Sequence, residues 1–506
     1  MYTGQHLIAW GLAPSAHFKT LLAQANALAA EGRDEAEIKE RVLASVPPAP
    51  AVLKRRARGD YAVALEAETP DERANLAAVR LHMDELMRTP TIEHGVVMPD
   101  ACPAGSALGT IPVGGAVASR AIHPAFHSAD ICCSMHVSLF APGIETSSFM
   151  DAVQASTRFG PGSRRAEHWV ADEITDELAS TRNPFLKDLE HRAKAQLADQ
   201  GDGNHFTYLG HLKVTPRLKR KLIKTGRQEL AAAMTDHDEV LALVSHHGSR
   251  DMGAQVYKRG LDAAVAHTRK VSPDTPPHQA WLDPDSKEGE AYWEALGYVA
   301  RWTKRNHEMV HERTAARLGI QPLAAFGNEH NFVWKRTDGL FHHGKGATPA
   351  WRDEADHPLL GVIPLNMAEP VLLVLGKDNR ALGSFAPHGA GRNKSRTRLL
   401  RELGLSGLKP EVFLARSREL LAEQTKGLDI RFFFDRPDVS ETPLAYKSAK
   451  AVRRQIERFD LAEVIGEIRP LGCLMAGDYD KPWLVKRAKR TDDQTDAVQV
   501  DVQPRR

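Results

Sequence analysis

The stretch Asp130-Ile131-Cys132-Cys133 is the sequence feature that most constrains how this chain can fold. A carboxylate and two thiols stand just before an apolar, strand-like run at 136–140, and these groups suit a divalent metal ion, for which thiolate is the softer ligand. One such stretch supplies only two ligands, so a metal site needs others from distant segments, and the 23 histidines make them available. The alternative is that both cysteines are buried apolar side chains beside a turn aspartate.

Length and composition limit the classes of protein to consider. A chain of 506 residues can bury a large core, and 42% hydrophobic with 26% charged residues is typical of a globular protein. The net charge of +2 means that any nucleic-acid surface is a local patch. Four cysteines in this length predict a reduced, cytoplasmic protein, and the lack of a signal pattern or a long apolar run predicts neither secretion nor a membrane location.

Changes in composition and hydrophobic pattern along the sequence predict three regions. Residues 1–88 are predicted to be a helical appendage, with helical patterns at 18–28 and 34–45. Residues 89–477 mix short strands, tight turns and helices, and form the predicted main domain. Residues 478–506 are charged and aperiodic, which predicts disorder.

Further histidines stand where turns or strand ends would present them. The segment 201–206 places Asn204 and His205 on a glycine-rich turn. The apolar run 240–244 predicts a buried strand with His246 at its C-terminal end. We expect His246 to bind a metal ion there and the Gly, Ser and Arg that follow to bind phosphate. A second strand-like segment has His330 in its middle, and Lys345 lies between glycines in a loop suited to phosphate.

The segment 388–396 begins with His388, continues with Gly-Ala-Gly and ends with three cations. Its flexible backbone amides, together with Arg392, Lys394 and Arg396, can hold a polyphosphate around the imidazole. A neutral imidazole can attack phosphorus and form a covalent phosphoramidate while pyrophosphate leaves. The alternative is a phosphate loop whose histidine only forms hydrogen bonds.

A helix predicted over 289–318 contains His307-Glu308-Met309-Val310-His311, the H-E-x-x-H pattern of zinc metallopeptidases, in which Glu308 would be the general base and Glu329 a third ligand. A zinc helix should run through an apolar interior, but charged side chains surround these two histidines. We therefore favour a solvated helix face over a peptidase site.

These segments, in this order, resemble the RtcB family of RNA-splicing ligases. The shared motifs are Met-Pro-Asp at 98–100, Pro-x-Gly-Gly at 112–115, Asp-Ile-x-Cys at 130–133, Gly-x-Gly-Asn-His-Phe at 201–206, His-x-Gly-Ser-Arg at 246–250, His-Asn at 330–331, Lys-Gly-Ala-Thr at 345–348 and His-Gly-Ala-Gly-Arg-x-x-Ser-Arg at 388–396. The resemblance implies an α+β, RtcB-like fold of packed antiparallel sheets with surrounding helices, preceded by the N-terminal helical appendage.

The resemblance also implies an activity: a manganese-dependent RNA ligase that joins 2′,3′-cyclic phosphate or 3′-phosphate ends to 5′-hydroxyl ends in RNA splicing or repair. GTP would be consumed through a nucleotidyl-histidine intermediate. The implied partners are RNA with broken ends, a nucleoside triphosphate and an archease-like activator.

The family motifs assign roles residue by residue. Two Mn²⁺ ions would be held by Asp130, Cys133, His205, His246 and His330, with Cys133 shared between the ions. His388 would be the nucleophile, Asp100 would assist it, and Arg250 and Arg392 would hold phosphate during catalysis. Nucleotide contacts would come from Asn204, Phe206, Lys345, Arg392 and Arg396.

The departures from the family pattern cluster at one place. Cys132 and Ser134 replace glycines, Cys102 replaces a histidine, Tyr208 replaces a glutamate and Ala476 replaces a lysine, and a Gly-Ser-Met-Gly loop reads Leu-Asn-Met-Ala at 365–368. These are largely positions that contact the guanine nucleoside, which leaves the nucleotide preference open. A ligation-defective relative that binds RNA or nucleotide is the second hypothesis, although the intact His388 and metal ligands favour the ligase.

Overall fold

The computed structural model describes residues 1–12, 14, 17–46, 52–105, 107–160 and 162–478. Internal contacts divide the chain into a first unit, Met1–Leu53, and a second unit that begins at Lys54. The predicted boundary between residues 88 and 89 remains a prediction. The predicted tail from 478 onward lies, except for its first residue, outside the described residues.

The first unit contains three helices, α1 (Gly4–Ala9), α2 (Phe18–Ala30) and α3 (Glu35–Ala44). The side chain of Asp34 caps α3 by accepting a hydrogen bond from the backbone of Glu37, which satisfies one of the free amides at the helix start. The helices pack through the buried apolar side chains Leu7, Leu21, Ala25, Leu28, Ile38 and Val42. The helices predicted at 18–28 and 34–45 are confirmed.

The second unit alternates strands with helices along its whole length. Its helices are α4 (Pro70–Leu86), α5 (Thr146–Ser156), α6 (Glu173–Asp176), α7 (Glu190–Gln196), α8 (Pro216–Lys224), α9 (Gln228–Ala233), α10 (Arg250–Val271), α11 (Lys287–Leu318), α12 (Arg396–Glu402), α13 (Pro410–Gln424) and α14 (Ala449–Arg458). Its strands are β1 (Ala62–Val63), β2 (Ile92–Cys102), β3 (Val113–Ser119), β4 (Ser134–Phe140), β5 (Arg158–Phe159), β6 (Asp199–Gly201), β7 (Phe206–Lys213), β8 (Glu239–His247), β9 (Ala324–Glu329), β10 (Asn331–Lys335), β11 (Phe341–Lys345), β12 (Ala347–Pro349), β13 (Leu360–Ile363), β14 (Val371–Gly376), β15 (Phe385–Pro387), β16 (Asp429–Phe432) and β17 (Ala462–Met475).

An eight-stranded sheet carries four adjacent antiparallel strands in the order β7, β8, β4, β9. Met135 on β4 and Phe206 on β7 both pair with His246 on β8, and Ser134 pairs with Glu329 on β9. The starts of β4 and β7 therefore lie at the same edge as the ends of β8 and β9. This register brings together segments that are far apart in sequence.

A five-stranded sheet, in the order β1, β2, β3, β11, β10, and the two-stranded pair of β12 and β15 supply the other wall of the site. The register of β2 against β3 shifts between Val97 and Cys102, and Asp100 lies within this irregular part. Such bulges re-aim side chains and are common beside functional sites. On β15, Pro387 pairs with Ala347, so His388 emerges beside Gly346.

The predicted α+β fold of antiparallel sheets with surrounding helices is confirmed, because most strand pairs are antiparallel and helices separate many of the strands. Within the described residues, every helix is too short or too polar to cross a membrane.

Candidate metal and nucleotide site

The first cluster of candidate metal ligands consists of Cys133, His246 and His330, whose ligand atoms all lie within 4.8 Å of one another. His246 Nε2 lies 3.1 Å from Cys133 Sγ and 3.1 Å from His330 Nε2. The other nitrogen of this ring, Nδ1, donates to the carbonyl of Asn204 at 3.1 Å, so Nε2 of the neutral ring carries a lone pair. That lone pair is directed toward two further candidate ligand atoms, Cys133 Sγ and His330 Nε2.

The second cluster consists of Asp130, Cys133 and His205, again within 4.8 Å of one another. His205 Nε2 lies 3.0 Å from Asp130 Oδ2 and 3.7 Å from Cys133 Sγ. His205 Nδ1 donates to the carbonyl of Gln200 at 2.9 Å, which leaves Nε2 as the ring nitrogen that faces the other two ligand atoms.

The donor atoms of each cluster, both found among the described residues, fit a divalent transition-metal ion, and Cys133 belongs to both clusters. Lone pairs packed this closely repel one another unless a cation lies between them. Metal-binding histidines commonly donate their second N–H to a backbone carbonyl, as both rings do here. The mixture of thiol, imidazole and carboxylate suits a transition metal better than calcium or magnesium.

The backbone around Cys133 ties the ligand-bearing segments together. The carbonyl of Cys133 accepts the amide of His330 at 3.0 Å, and the amide of Cys132 donates to the carbonyl of Asn331 at 2.8 Å. Cys132 has φ of 56°, in the left-handed region that favours glycine, and this conformation costs an ordinary residue roughly 1–2 kcal/mol. A side chain on Gly248 would collide with the carboxylate of Asp130, since its Cβ would lie 2.0 Å from Oδ1.

Burial sets the protonation of these ligands. Burial, reinforced by the neighbouring His205, lowers the pKa of His246 to about 3, and burial lowers the pKa of His330 well below its usual range. Burial raises the pKa of Asp130, but the charge and hydrogen bond of His205 outweigh it and bring the value down to about 2. Burial and the charge of Asp130 raise the pKa of the Cys133 thiol, so metal binding there must displace a proton.

His388 and Asp100 form a close pair beside the first cluster. Asp100 Oδ2 lies 2.5 Å from His388 Nδ1 and also accepts the backbone N–H of His388 at 3.1 Å. The rings of His388 and His330 have centroids 5.0 Å apart. Asp100 is fully buried, and the buried ammonium of Lys447 donates to the carbonyls of Pro99 and Ala101, both at 2.8 Å, on either side of it.

A cavity of about 280 Å³ extends from His388 and His246. Asn204 and Phe206 line it, as do Arg392 and Arg396. The two guanidinium groups converge on the buried carboxylate of one residue, Glu441, so the cationic wall of the cavity is held in place from behind. The structure thus gathers most of the predicted nucleotide contacts around a single opening.

Two predicted phosphate ligands point elsewhere. The side chain of Arg250 lies against Asp199, with Nε 3.5 Å from Oδ1, and donates through Nη2 to the carbonyl of Gly160 at 3.3 Å. Lys345 is directed to the carbonyl of Ile111 at 3.2 Å, and burial lowers its pKa to about 8. Neither side chain is among the residues that line the described cavity.

The prediction of a solvated helix face for the H-E-x-x-H histidines is wrong. His307 and His311, on α11, are 1% and 3% exposed. Both imidazoles bond to Ser245 Oγ, at 2.6 and 2.8 Å. The second nitrogen of each ring bonds to a serine of β4, Ser134 or Ser138. The serines that alternate along these strands satisfy the buried rings, and both ring nitrogens of each histidine are already engaged in these bonds.

Three residues at the site were missed by the sequence reasoning: the buried Glu441 and Lys447 and the half-buried Tyr446. Glu441 and Tyr446 line the cavity, and Lys447 supports the segment that carries Asp100. An isolated carboxylate, phenol or ammonium in a mixed-polarity stretch carries no spacing signal of its own. Their position follows from the fold, in which a bridge between Arg392 and Tyr446 and a hydrogen bond of 2.9 Å from the amide of Lys447 to the carbonyl of Gly391 join this segment to the histidine loop.

A known protein family matches most of this chain. Residues 82–476 match the family model described as "tRNA-splicing ligase RtcB". Because this match covers most of the chain, the protein belongs to the RtcB family. The resemblance seen in the separate motifs is thereby confirmed.

Individual relatives are distant. The tRNA-splicing ligase RtcB of Archaeoglobus fulgidus is 25% identical over 315 residues, which are 56% of this chain and 61% of that protein. The protein of the same name from Thermococcus kodakarensis is 24% identical over 313 residues, covering 56% and 60%. The RNA-splicing ligase RtcB of Mycobacterium tuberculosis is 26% identical over 308 residues, covering 56% and 65%. The chain therefore aligns with less than two thirds of the length of these relatives and is a divergent member of the family.

Proposed function

We propose that this protein is an RNA ligase that joins a 2′,3′-cyclic phosphate or 3′-phosphate end to a 5′-hydroxyl end through a nucleotidyl-histidine intermediate. The observation that carries the proposal is the position of His388, whose ring is held by Asp100 and lies against His330, beside two clusters of metal-ligand side chains. Membership of a family whose model is named for tRNA splicing supports an RNA substrate.

Asp100 prepares the nucleophile in this proposal. By accepting the Nδ1 proton of His388, the carboxylate keeps Nε2 unprotonated, and its second hydrogen bond to the backbone amide fixes the ring. The Nε2 lone pair attacks the α-phosphorus of a nucleoside triphosphate, the bond to the β-phosphate oxygen breaks, and pyrophosphate leaves. Arg392 and Arg396, on the cavity wall, stabilise the negative charge of the phosphates.

Asp130, Cys133, His205, His246 and His330 would hold two divalent ions, and manganese is the metal implied by the family resemblance. When bound, such a pair neutralises phosphate charge and orients the attacking and departing atoms of an in-line displacement. The contribution of the protein is to bring these ligand atoms together. The hydrogen bonds of His205 and His246 to backbone carbonyls orient the two rings so that their Nε2 atoms face the other ligands.

Two further transfers complete the proposed reaction. Water first opens a 2′,3′-cyclic phosphate end to a 3′-phosphate. An oxygen of the RNA 3′-phosphate then attacks the phosphorus held by His388, which breaks the P–N bond, frees the imidazole and leaves a nucleotide cap on the RNA. The 5′-hydroxyl of the second RNA end then attacks the 3′-phosphate, forms the phosphodiester and releases a nucleoside monophosphate. We further propose the assignments of GTP, an archease-like activator, a cytoplasmic location and a catalytic domain over residues 89–477.

Covalent labelling tests the first step. The full chain is incubated with Mn²⁺ and GTP or ATP carrying a radioactive α-phosphate, and the protein-bound label is measured after denaturation. We expect label on the wild type and none on His388→Ala. The matched control is His342→Ala, because His342 also pairs with an aspartate, at 2.8 Å from Asp338, but lies outside the cavity. Absence of label with every nucleotide, or label on His388→Ala, would refute the proposal.

Ligation of synthetic RNA tests the remaining steps and separates the second hypothesis. One strand carries either a 2′,3′-cyclic phosphate or a 3′-phosphate, the other carries a 5′-hydroxyl, and the joined product is measured on a gel. A protein that is labelled at His388 but joins neither type of 3′ end would be the nucleotide-binding relative rather than a ligase.

A further inference from the structure

The cavity beside His388 has two chemically different ends. One end contains the cationic wall of Arg392 and Arg396 with Glu441 and Tyr446 behind it. The other end is formed by apolar and sulfur-containing side chains: Tyr208, Leu365, Met367, Val371, Cys473 and Met475. A nucleotide whose α-phosphate lies at His388 has its base in the remaining space, and a flat ring is best accommodated by the apolar end.

Most side-chain polar groups at the apolar end are uncharged and already form a hydrogen bond within the protein. The hydroxyl of Tyr208 donates to the carbonyl of Ile468 at 3.0 Å, and the carbonyl of Glu369 lies 3.3 Å away. Cys473 is a neutral thiol, since burial raises its pKa to about 12. The side-chain oxygen of Asn366 accepts the amide of Ala368 at 3.0 Å, which leaves its amide nitrogen as a donor.

Glu441, the buried carboxylate at the cationic end, is equally committed. Its Oε1 accepts from Arg396 Nη2 at 2.6 Å and Nε at 3.0 Å, and from Arg392 Nη1 at 3.3 Å. Its Oε2 accepts the hydroxyl of Tyr446 at 2.5 Å. With 2% of its surface exposed and four hydrogen bonds already accepted, Glu441 is enclosed by its own partners and is not presented to the N1 and amino hydrogens of a guanine.

We propose that this cavity selects the nucleotide base by packing and shape rather than by hydrogen bonds, so that ATP and GTP serve the enzyme comparably. This inference rests on the proposed nucleotidyl transfer. The side-chain amide donor of Asn366 can bond only to an acceptor, and both purines present an acceptor at N7, so this donor does not separate them. Purines are preferred over pyrimidines because the larger ring covers more of the apolar wall.

The expected difference in labelling rate between nucleotides follows from how binding pockets reject analogues of their substrates. A site built to hydrogen-bond its substrate rejects an analogue without the matching group by about 10⁴- to 10⁵-fold, whereas an apolar pocket discriminates by about 10- to 200-fold. We therefore expect GTP and ATP to differ by less than about tenfold in the second-order rate constant for labelling, and pyrimidine triphosphates to be about 10- to 100-fold poorer.

The test is single-turnover labelling of the full chain with Mn²⁺ and each of α-labelled GTP, ATP, ITP, CTP and UTP. ITP lacks the 2-amino group of GTP, so equal rates for the two are expected. A preference for GTP over ATP of more than about 10³-fold would overturn the inference, because packing alone cannot supply it. No label with any of the five nucleotides would instead refute the proposed function.

Substitution of Tyr208 tests the apolar end of the cavity directly. Tyr208→Phe removes the hydroxyl and keeps the ring, and the ratio of the ATP and GTP rates should stay within about threefold of the wild-type ratio. Tyr298→Phe is the matched control, since this buried tyrosine also donates to a carbonyl, that of Ile174 at 2.6 Å, but lies in a separate hydrophobic cluster. A tenfold or larger change in the ratio for Tyr208→Phe alone would mean that the hydroxyl reads the base, which contradicts the inference.

Discussion

Replacing Asp100 by Asn is the sharpest test of how His388 is prepared. Asp100 accepts both the Nδ1 proton and the backbone amide of His388, at 2.5 and 3.1 Å. An asparagine has nearly the same shape, but its NH₂ group can donate to Nδ1. The proton of the neutral imidazole would then reside on Nε2, and the nitrogen that faces the cavity would lose its lone pair.

The magnitude follows from the bonds that change. Losing one charge-assisted hydrogen bond costs about 1.5–3 kcal/mol, which corresponds to a rate lower by roughly 10- to 150-fold. Reversal of the tautomer adds to this loss, and a comparable Asp-to-Asn change in a serine protease lowers the rate by about 10⁴-fold. We expect the labelling rate of Asp100→Asn to fall by about 10²- to 10⁴-fold.

The assay is the single-turnover labelling rate, with the bound metal measured on the same sample. Metal content should stay at the wild-type level, because Asp100 belongs to neither ligand cluster. Asp338→Asn is the matched control, since Asp338 pairs with His342 away from the cavity, and its rate should be unchanged. Labelling of Asp100→Asn at the wild-type rate would refute this account of the nucleophile.

Three other outcomes are expected. Cys133→Ala should lose both metal ions, whereas His205→Ala should lose one, because only Cys133 belongs to both clusters; equal losses by mass spectrometry would contradict a shared ligand. His307→Ala should keep its metal but lose about 2–4 kcal/mol of unfolding free energy in urea, since Ser134 and Ser245 lose their partners; metal loss would revive the peptidase hypothesis. Burial lowers the pKa of His123 to about 3, so the unfolded chain binds a proton below pH 6.5 that the native chain does not, and stability falls as the pH falls toward 3. Between pH 6.5 and 5 this effect lowers the free energy of unfolding by about 2 kcal/mol. When unfolding in urea is measured at each pH, the free energy of unfolding of His123→Asn should fall by that much less than the wild-type value; an equal fall in both proteins would contradict this prediction.

The sequence by itself determined the candidate metal ligands and the proposed nucleophile as chemical types. Asp-Ile-x-Cys, the histidine motifs and the Gly-Ala-Gly loop after His388 are short and local, and glycine at 248 is required because a side chain there would meet Asp130. A continuous apolar run at 240–244 was sufficient to predict the strand that presents His246. The order of these motifs was sufficient to identify the family.

Only the tertiary structure decided which side chains meet. The environment of a residue depends on strand register and on helices that arrive from distant segments, neither of which a single sequence encodes locally. Charged neighbours at 304, 305, 312 and 313 suggested that His307 was solvated, yet the serines of β4 and β8 enclose it. Likewise, Arg250 is drawn to Asp199 and Tyr208 to a backbone carbonyl, because a buried polar group must bond to whatever lies nearest in the fold.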